Sequence, residues 1–318
     1  MIFVMKKAEK KFLKAIISVV GILLIAIIGY QYVHTSKASS GGTAQTETQK
    51  EVAKRQKIIK ENLTNYLKTV TDDGTVSVSF YNLGATSGST AAKSKYADVY
   101  KKGELQVESN AHTAQTTAST YKLFITAYLM QQKLNGNFTW NSTNEDGFYR
   151  MIVNSENDFA EEQLQKYGMS KINKFISNQG WYSPVFQTDE NATSTSYSLQ
   201  LLLEQLEAGT GSFSNASDRA KILKLMGKQI YRTGIPAGVA ATDKGTTVSD
   251  KVGFLDDTNN YAAIVTMPNG QKYILVIMTH GHNQSGFSGF PKIAKIAKKV
   301  QQIVYGADAV TKLEDYSN

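Results

Sequence analysis

The chain of 318 residues contains no cysteine. That absence excludes a disulfide framework, a thiolate metal site and a cysteine nucleophile. Histidine is scarce, with four residues in all. Two of them, His280 and His282, lie near a strand end without a third ligand close in sequence, so no metal centre is expected. His112, seven residues before Ser119, is assigned a structural place. No internal repeat is visible, which argues against a repeat array. Charge is missing altogether from residues 15–33, "AIISVVGILLIAIIGYQYV". A run of this length and hydropathy can span a bilayer.

Positive charge, by contrast, gathers just ahead of that run. Lys6, Lys7, Lys10, Lys11 and Lys14 contribute to a formal net charge of +8. Such a cluster before an apolar segment orients a membrane helix with its N-terminus in the cytoplasm. Nucleic acid is not indicated as a partner. The expected organisation is a cytoplasmic basic tail over residues 1–14, a transmembrane signal anchor over 15–33 and a flexible linker over 34–48 rich in Ser, Thr, Gly and Ala. A folded domain over residues 49–306 and a C-terminal tail over 307–318 follow. A secretory signal cleaved after Ala38 is the competing reading, and it too exports the domain.

Within the domain, "EVAKRQKIIKENLTNYLKTV" places Val52, Ile59, Leu63, Leu67 and Val70 at helical intervals. "DDG" ends that helix, and "TVSVSFYNL" alternates as a half-buried strand does. A second strand is expected within "KSKYADVYKKGELQ", residues 93–106. Helical patterns dominate from Ser119 to about Met226. Three strand-like runs, "TTVSDKVGFL", "YAAIVTMP" and "KYILVIMTHG", are separated by the turns "DDTNN" and "NGQ", which suggest antiparallel hairpins. A last helix, "FPKIAKIAKKVQQIVYG", carries Pro291 in its first turn. The expected fold is α/β (α+β): an antiparallel sheet flanked by terminal helices, with a helical subdomain inserted between its strands.

Three short motifs carry the chemistry. "STYK" sets Ser119 and Lys122 three apart at a helix start, where the two side chains are neighbours. "SEN" supplies Ser155 and Asn157, and "KVG" supplies Lys251 and Gly253 on a strand. A serine hydroxyl needs a base to become a nucleophile, and a lysine whose pKa is lowered by burial and nearby positive charge can act as one.

With these motifs in this order, the stretch from Lys50 to Tyr305 resembles the serine β-lactamase and penicillin-binding protein superfamily. It is most similar to class A β-lactamase-like serine hydrolases of bacterial cell surfaces. The resemblance implies Ser119 as the acylated nucleophile, Lys122 as its base and Ser155 as a proton relay to the leaving group. It further implies that Asn157 holds the substrate amide or Lys122, and that Lys251 attracts a substrate carboxylate. Gly253 would let substrate lie close to the strand, and the N–H groups of Ser119 and Phe254 would receive an oxyanion. No cofactor is implied. The implied partner is a β-lactam or a small substrate like a peptidoglycan stem peptide, bound by an enzyme on the bacterial cell membrane with its catalytic domain extracellular.

The pattern is not complete. Glu156 stands where the lactamases usually have Asp, and Val252 replaces a Ser or Thr whose hydroxyl helps to bind the carboxylate. One hydrogen bond to a charged group, worth roughly 1.5–3 kcal/mol, is thereby lost. Glu190, in "QTDENATSTSYSLQ", is the candidate deacylation base, but the loop carrying it is short and no asparagine follows at the family's interval. Three readings remain open: an acyl-enzyme-forming hydrolase acting on a β-lactam or D-alanyl peptide amide, a true β-lactamase with rapid deacylation, and a non-catalytic wall-binding or sensor domain that retains the fold.

Overall fold

The computed structural model describes residues 49–314 and 316. The expected basic tail, anchor and linker lie outside the described residues, and among the described residues no helix is long and apolar enough to cross a membrane. Two compact units are separated at Lys54 and Arg55. Of the first unit, residues 49–54 are described and helical.

The second unit opens with helical residues 55–71, α1. Ile59, Leu63 and Leu67, four apart, are its fully buried stripe. The segment expected as a C-terminal tail docks on this helix. Asn62 Nδ2 donates to Lys312 O at 2.7 Å, and Asn62 Oδ1 accepts from Glu314 N at 2.9 Å.

Five strands form one antiparallel sheet: β1 (Val76–Ala85), β2 (Val107–Ser109), β5 (Thr247–Leu255), β6 (Thr258–Thr266) and β7 (Gln271–Thr279), in the spatial order β2-β1-β7-β6-β5. A separate two-stranded pair joins β3 (Gln115–Thr116) to β4 (Thr193–Ser194). Side chains alternate between the faces of a strand, and both faces of the large sheet are covered. Ala262, Ile264, Ile274, Val276 and Met278 join the core of the helical block. On the other face Tyr261 packs on Phe290 and Tyr273 on Tyr305, both rings belonging to α9 (Phe290–Tyr305).

The helical block lies between β3 and β5 in sequence. It comprises α2 (Lys122–Leu134), α3 (Ser142–Tyr149), α4 (Asp158–Tyr167), α5 (Met169–Asn178), α6 (Ser196–Ala208) and α7 (Ala216–Met226), with the short α8 (Ile235–Ala240) before β5. Its core is built from Phe124, Phe148, Ile172, Leu202 and Leu206, all fully buried. Both the α/β class and the antiparallel hairpins agree with the sequence pattern.

Residues 93–106 do not contain the expected strand. Ala91–Lys93 and Ala97–Tyr100 are single helical turns, and the strand falls later, at β2. The reason is the fully buried Asn82. Its Nδ2 donates to Tyr100 O and Lys101 O, and its Oδ1 accepts from Leu105 N, so the segment is held as a loop by one side chain.

Candidate active site

Ser119 lies in a single 3-10 turn, Ala118–Tyr121, that runs directly into α2. The expected helix start is therefore tighter than an α-helical one, and residues three apart nearly eclipse in such a turn. Ser119 and Lys122 are superposed as a result: Lys122 Nζ donates to Ser119 Oγ at 2.7 Å. Two further acceptors close around the same nitrogen, Ser155 O at 2.8 Å and Asn157 Oδ1 at 2.6 Å.

Ser155 and Asn157 reach this point by an irregular backbone. A π-helical turn, Arg150–Asn154, ends at Ser155 with a φ of 65°. Ala118, next to Ser119, has a φ of 43°. Left-handed backbone at non-glycine residues is strained and is held only by surrounding structure. Here the holding contacts are identifiable. Glu156, whose side chain replaces the usual aspartate, accepts from Asn154 Nδ2 at 2.9 Å and pairs with Arg150 Nη1 at 3.0 Å, stapling the turn around Ser155.

Lys251 enters from β5, the edge strand, and is fully buried. Its Nζ donates to Ser155 Oγ at 2.7 Å and to Val252 O at 2.8 Å. Burial, then the nearby Lys122 cation, hold its pKa well below that of a free lysine, against the raising effect of Asp250. Lys122, also fully buried, is lowered to about 8 by burial, with Glu161, Asp158 and Glu156 opposing the shift.

Gly253 is a close-approach position. A Cβ there would sit 2.6 Å from Thr117 O and 3.0 Å from both Ser119 N and Thr120 N. The turn carrying Ser119 thus lies directly against β5. The cleft beside Ser119, about 120 Å³, is lined by Thr116, Ala118, Ser119, Tyr121, Asn157, Asn191, Ala192, Phe254 and Leu255. Among these nine residues none is charged.

Glu190 is exposed in the turn ahead of β4, and its carboxylate accepts from Gln187 Nε2 at 2.7 Å. It does not line the cleft, whereas its neighbour Asn191 does. His112 and His282 are engaged elsewhere, the first with Glu108 at 2.8 Å and the second with Thr75 at 2.8 Å. Among the described residues no group of three or more potential ligands is placed to hold a metal ion.

Two supporting residues escaped the sequence reading. Asn260 was assigned to the turn "DDTNN", yet the turn proper is Asp256 and Asp257, and Asn260 is a fully buried β6 residue. Its Nδ2 donates to Thr116 O and Thr117 O, each at 2.9 Å, and its Oδ1 accepts from Thr279 N at 3.1 Å. It ties the chain just before Ser119 to the sheet. Arg232, in the loop before α8, pairs with Asp250 at 2.5 Å and donates to Val248 O at 3.0 Å. Burial raises the Asp250 carboxyl to about 7 despite Arg232 and Lys251.

Removing Arg232 strands that carboxylate. Arg232→Ala is expected to destabilise the fold by about 3 kcal/mol at pH 8, measured by urea unfolding. A carboxyl with a raised folded-state pKa adds stability at low pH that is lost as pH rises through that value. The deficit should therefore be smaller at pH 5, where Asp250 is protonated.

A hydroxyl, two buried amines and a second serine at a sheet edge, with a helical block beside it, make up a β-lactamase-like serine hydrolase. The model of the beta-lactamase enzyme family, Beta-lactamase2, matches residues 141–306. The chain belongs to that family. Ser119 and Lys122 precede the matched segment, so their place in the site comes from the structure. No curated protein sequence matches the chain. Among solved structures, PBP-A is similar at a TM-score of 0.61 and 18% identity, covering 76% of this chain and 96% of that one. A PBP-A mutant solved as an acyl-enzyme complex with penicillin G has a TM-score of 0.60 at 19% identity, with the same coverage. A β-lactamase from Sphaerobacter thermophilus matches at 0.58 and 14%, covering 76% of this chain and 96% of its own. These likenesses are of fold.

Proposed function

We propose that the protein is a serine hydrolase that forms an acyl-enzyme on Ser119, with an amide of the β-lactam or D-alanyl peptide type as acyl donor. One observation carries the reading: Lys122 Nζ sits among three acceptors, as many as an ammonium has protons, and one of them is the Ser119 hydroxyl. Ser155 O and Asn157 Oδ1 can only accept. Ser119 Oγ alone can reverse the bond. Once Lys122 is neutral, its lone pair faces the Ser119 hydroxyl and takes the proton as Oγ attacks the carbonyl carbon. The N–H groups of Ser119 and Phe254 are the assigned oxyanion donors, β5 being an edge strand with unpaired backbone groups on its outer side. Ser155, held by Lys251 at 2.7 Å, passes a proton to the leaving group.

The acyl-enzyme is long-lived in this reading, because Glu190 is exposed and stands outside the cleft lining. The lysines ahead of the uncharged run of residues 15–33 support an exported domain tethered to a bacterial membrane.

Intact-mass measurement after exposure to a penicillin tests the assignment. A stable adduct on the wild-type chain, absent from Ser119→Ala, is the expected result. An adduct on both would refute the nucleophile. Rapid turnover abolished by Glu190→Gln would instead establish a true β-lactamase.

The pH dependence is a second expected result. A lysine lowered to about 8 is mostly protonated at pH 6 and mostly neutral above pH 8. The second-order acylation rate should climb nearly tenfold per unit up to about pH 8 and then level. A rate flat between pH 6 and 9 would remove Lys122 as the base.

A further inference from the structure

Each of the three basic side chains described at this site is engaged. Lys122 is enclosed by Ser119, Ser155 and Asn157, and Lys251 by Ser155 and Val252 O. Both are fully buried. Arg232, the nearby guanidinium, is bound to Asp250 and Val248 O behind β5. The position next to Lys251 is Val252, a buried side chain without a hydrogen-bonding group. A substrate carboxylate entering this cleft would give up water and find none of these three basic groups free.

The remaining surroundings point the same way. Glu161, Asp158 and Glu156 all act on Lys122 through their charge, Asp158 and Glu156 while paired with Arg150, and Glu161 acts on Tyr121 as well. Tyr121, Phe254 and Leu255 form the apolar wall of a lining that is otherwise built from Thr116, Ser119, Asn157 and Asn191 with two alanines. Beyond the lining, Phe254 packs edge-on against Tyr231 at 5.1 Å and Phe287 at 6.0 Å, and Phe287 is 51% exposed. An aromatic shelf therefore continues from the cleft to the surface.

We infer that the preferred acyl donor is uncharged beside its scissile bond, an ester or amide whose leaving half is neutral and apolar and lies against Phe254 and Leu255. This rests on the acyl-enzyme on Ser119 and ranks its donors: β-lactams and D-alanyl peptides, whose leaving halves carry a carboxylate, still acylate Ser119 but more slowly than neutral counterparts. In the reaction Ser119 Oγ bonds to the carbonyl carbon while the bond to the leaving atom breaks. The serine proton passes to Lys122, and the leaving group departs protonated through Ser155. Water then cleaves the acyl ester, giving the free acid and regenerating the Ser119 hydroxyl.

A matched pair of benzoylglycyl thioesters tests it, one of mercaptoacetate and one of mercaptoacetamide, each rate normalised to alkaline hydrolysis of the same compound. The chain has no cysteine, so thiol release is read against no protein background, and intact mass reports the adduct. The neutral thioester is expected to acylate Ser119 at least tenfold faster, the scale of one lost charge-assisted contact. Equal rates, or a preference for the carboxylate, would overturn the inference while leaving Ser119 as nucleophile. No thiol release and no adduct with either compound would sink the acyl-enzyme reading and the inference with it. Leu255 is 38% exposed, so Leu255→Arg tolerates a charge and should move the ratio toward the carboxylate by about tenfold. A ratio unmoved in that folded variant counts against the account.

Discussion

Replacing Lys122 by methionine is expected to slow acylation of Ser119 by about 10²–10⁴-fold, the usual contribution of a positioned general base. Methionine fills much of the same volume and removes a buried amine whose pKa is already lowered to about 8, so the variant should remain folded. The informative companion is Lys122→Arg. A guanidinium keeps the charge and the capacity to donate but does not release its proton near neutral pH. If Lys122 served only as a cation facing Ser119, arginine would restore much of the rate. Because the role assigned is proton acceptance, arginine should fail as badly as methionine. Single-turnover labelling, followed by mass, separates the two outcomes.

Gly253→Ala is expected to have the second large effect. The added methyl would lie 2.6 Å from Thr117 O and 3.0 Å from the backbone nitrogens of Ser119 and Thr120. These atoms belong to the main chain and cannot rotate away. Thr117 O is also fixed by Asn260 Nδ2 at 2.9 Å, and Thr117 N by Ala192 O at 2.8 Å. The turn must then be pushed off β5 as a unit. Overpacking of this kind costs about 1–3 kcal/mol in stability. A displacement on the order of 1 Å at the nucleophile costs about 10²-fold in rate. A fall in acylation with nearly unchanged urea midpoint would show that the turn moves rather than unfolds. Unchanged acylation would mean that β5 need not touch the turn.

Much of this molecule was legible in the residue pattern, for physical reasons that can be named. The nearly unbroken apolar runs "YAAIVTMP" and "KYILVIMTHG" are a consequence of a pleated strand with two covered faces, and those runs became β6 and β7. The i, i+3 spacing of Ser119 and Lys122 carries its own geometry, because any right-handed helical turn brings such residues together. Their contact at 2.7 Å needed only the turn to form. The order of the three motifs along the chain likewise required no coordinates.

What depended on long-range contacts was not legible. Asn82 and Asn260 are polar residues in strands, and local propensity places asparagine in turns. Each is buried because its amide is consumed by main-chain groups far away in sequence, at Tyr100 to Leu105 for one and at Thr116, Thr117 and Thr279 for the other. The left-handed backbone at Ala118 and Ser155 has no local signal either, since neither residue favours it. The sequence by itself determined the kinds of chemical group available, the secondary-structure periods and the pairing of Ser119 with the Lys122 amine. Only the tertiary structure decided that Lys251 would be enclosed against Ser155 and that the cleft lining would be uncharged. Burial and electrostatic environment are properties of packing among distant segments, and no local pattern encodes them.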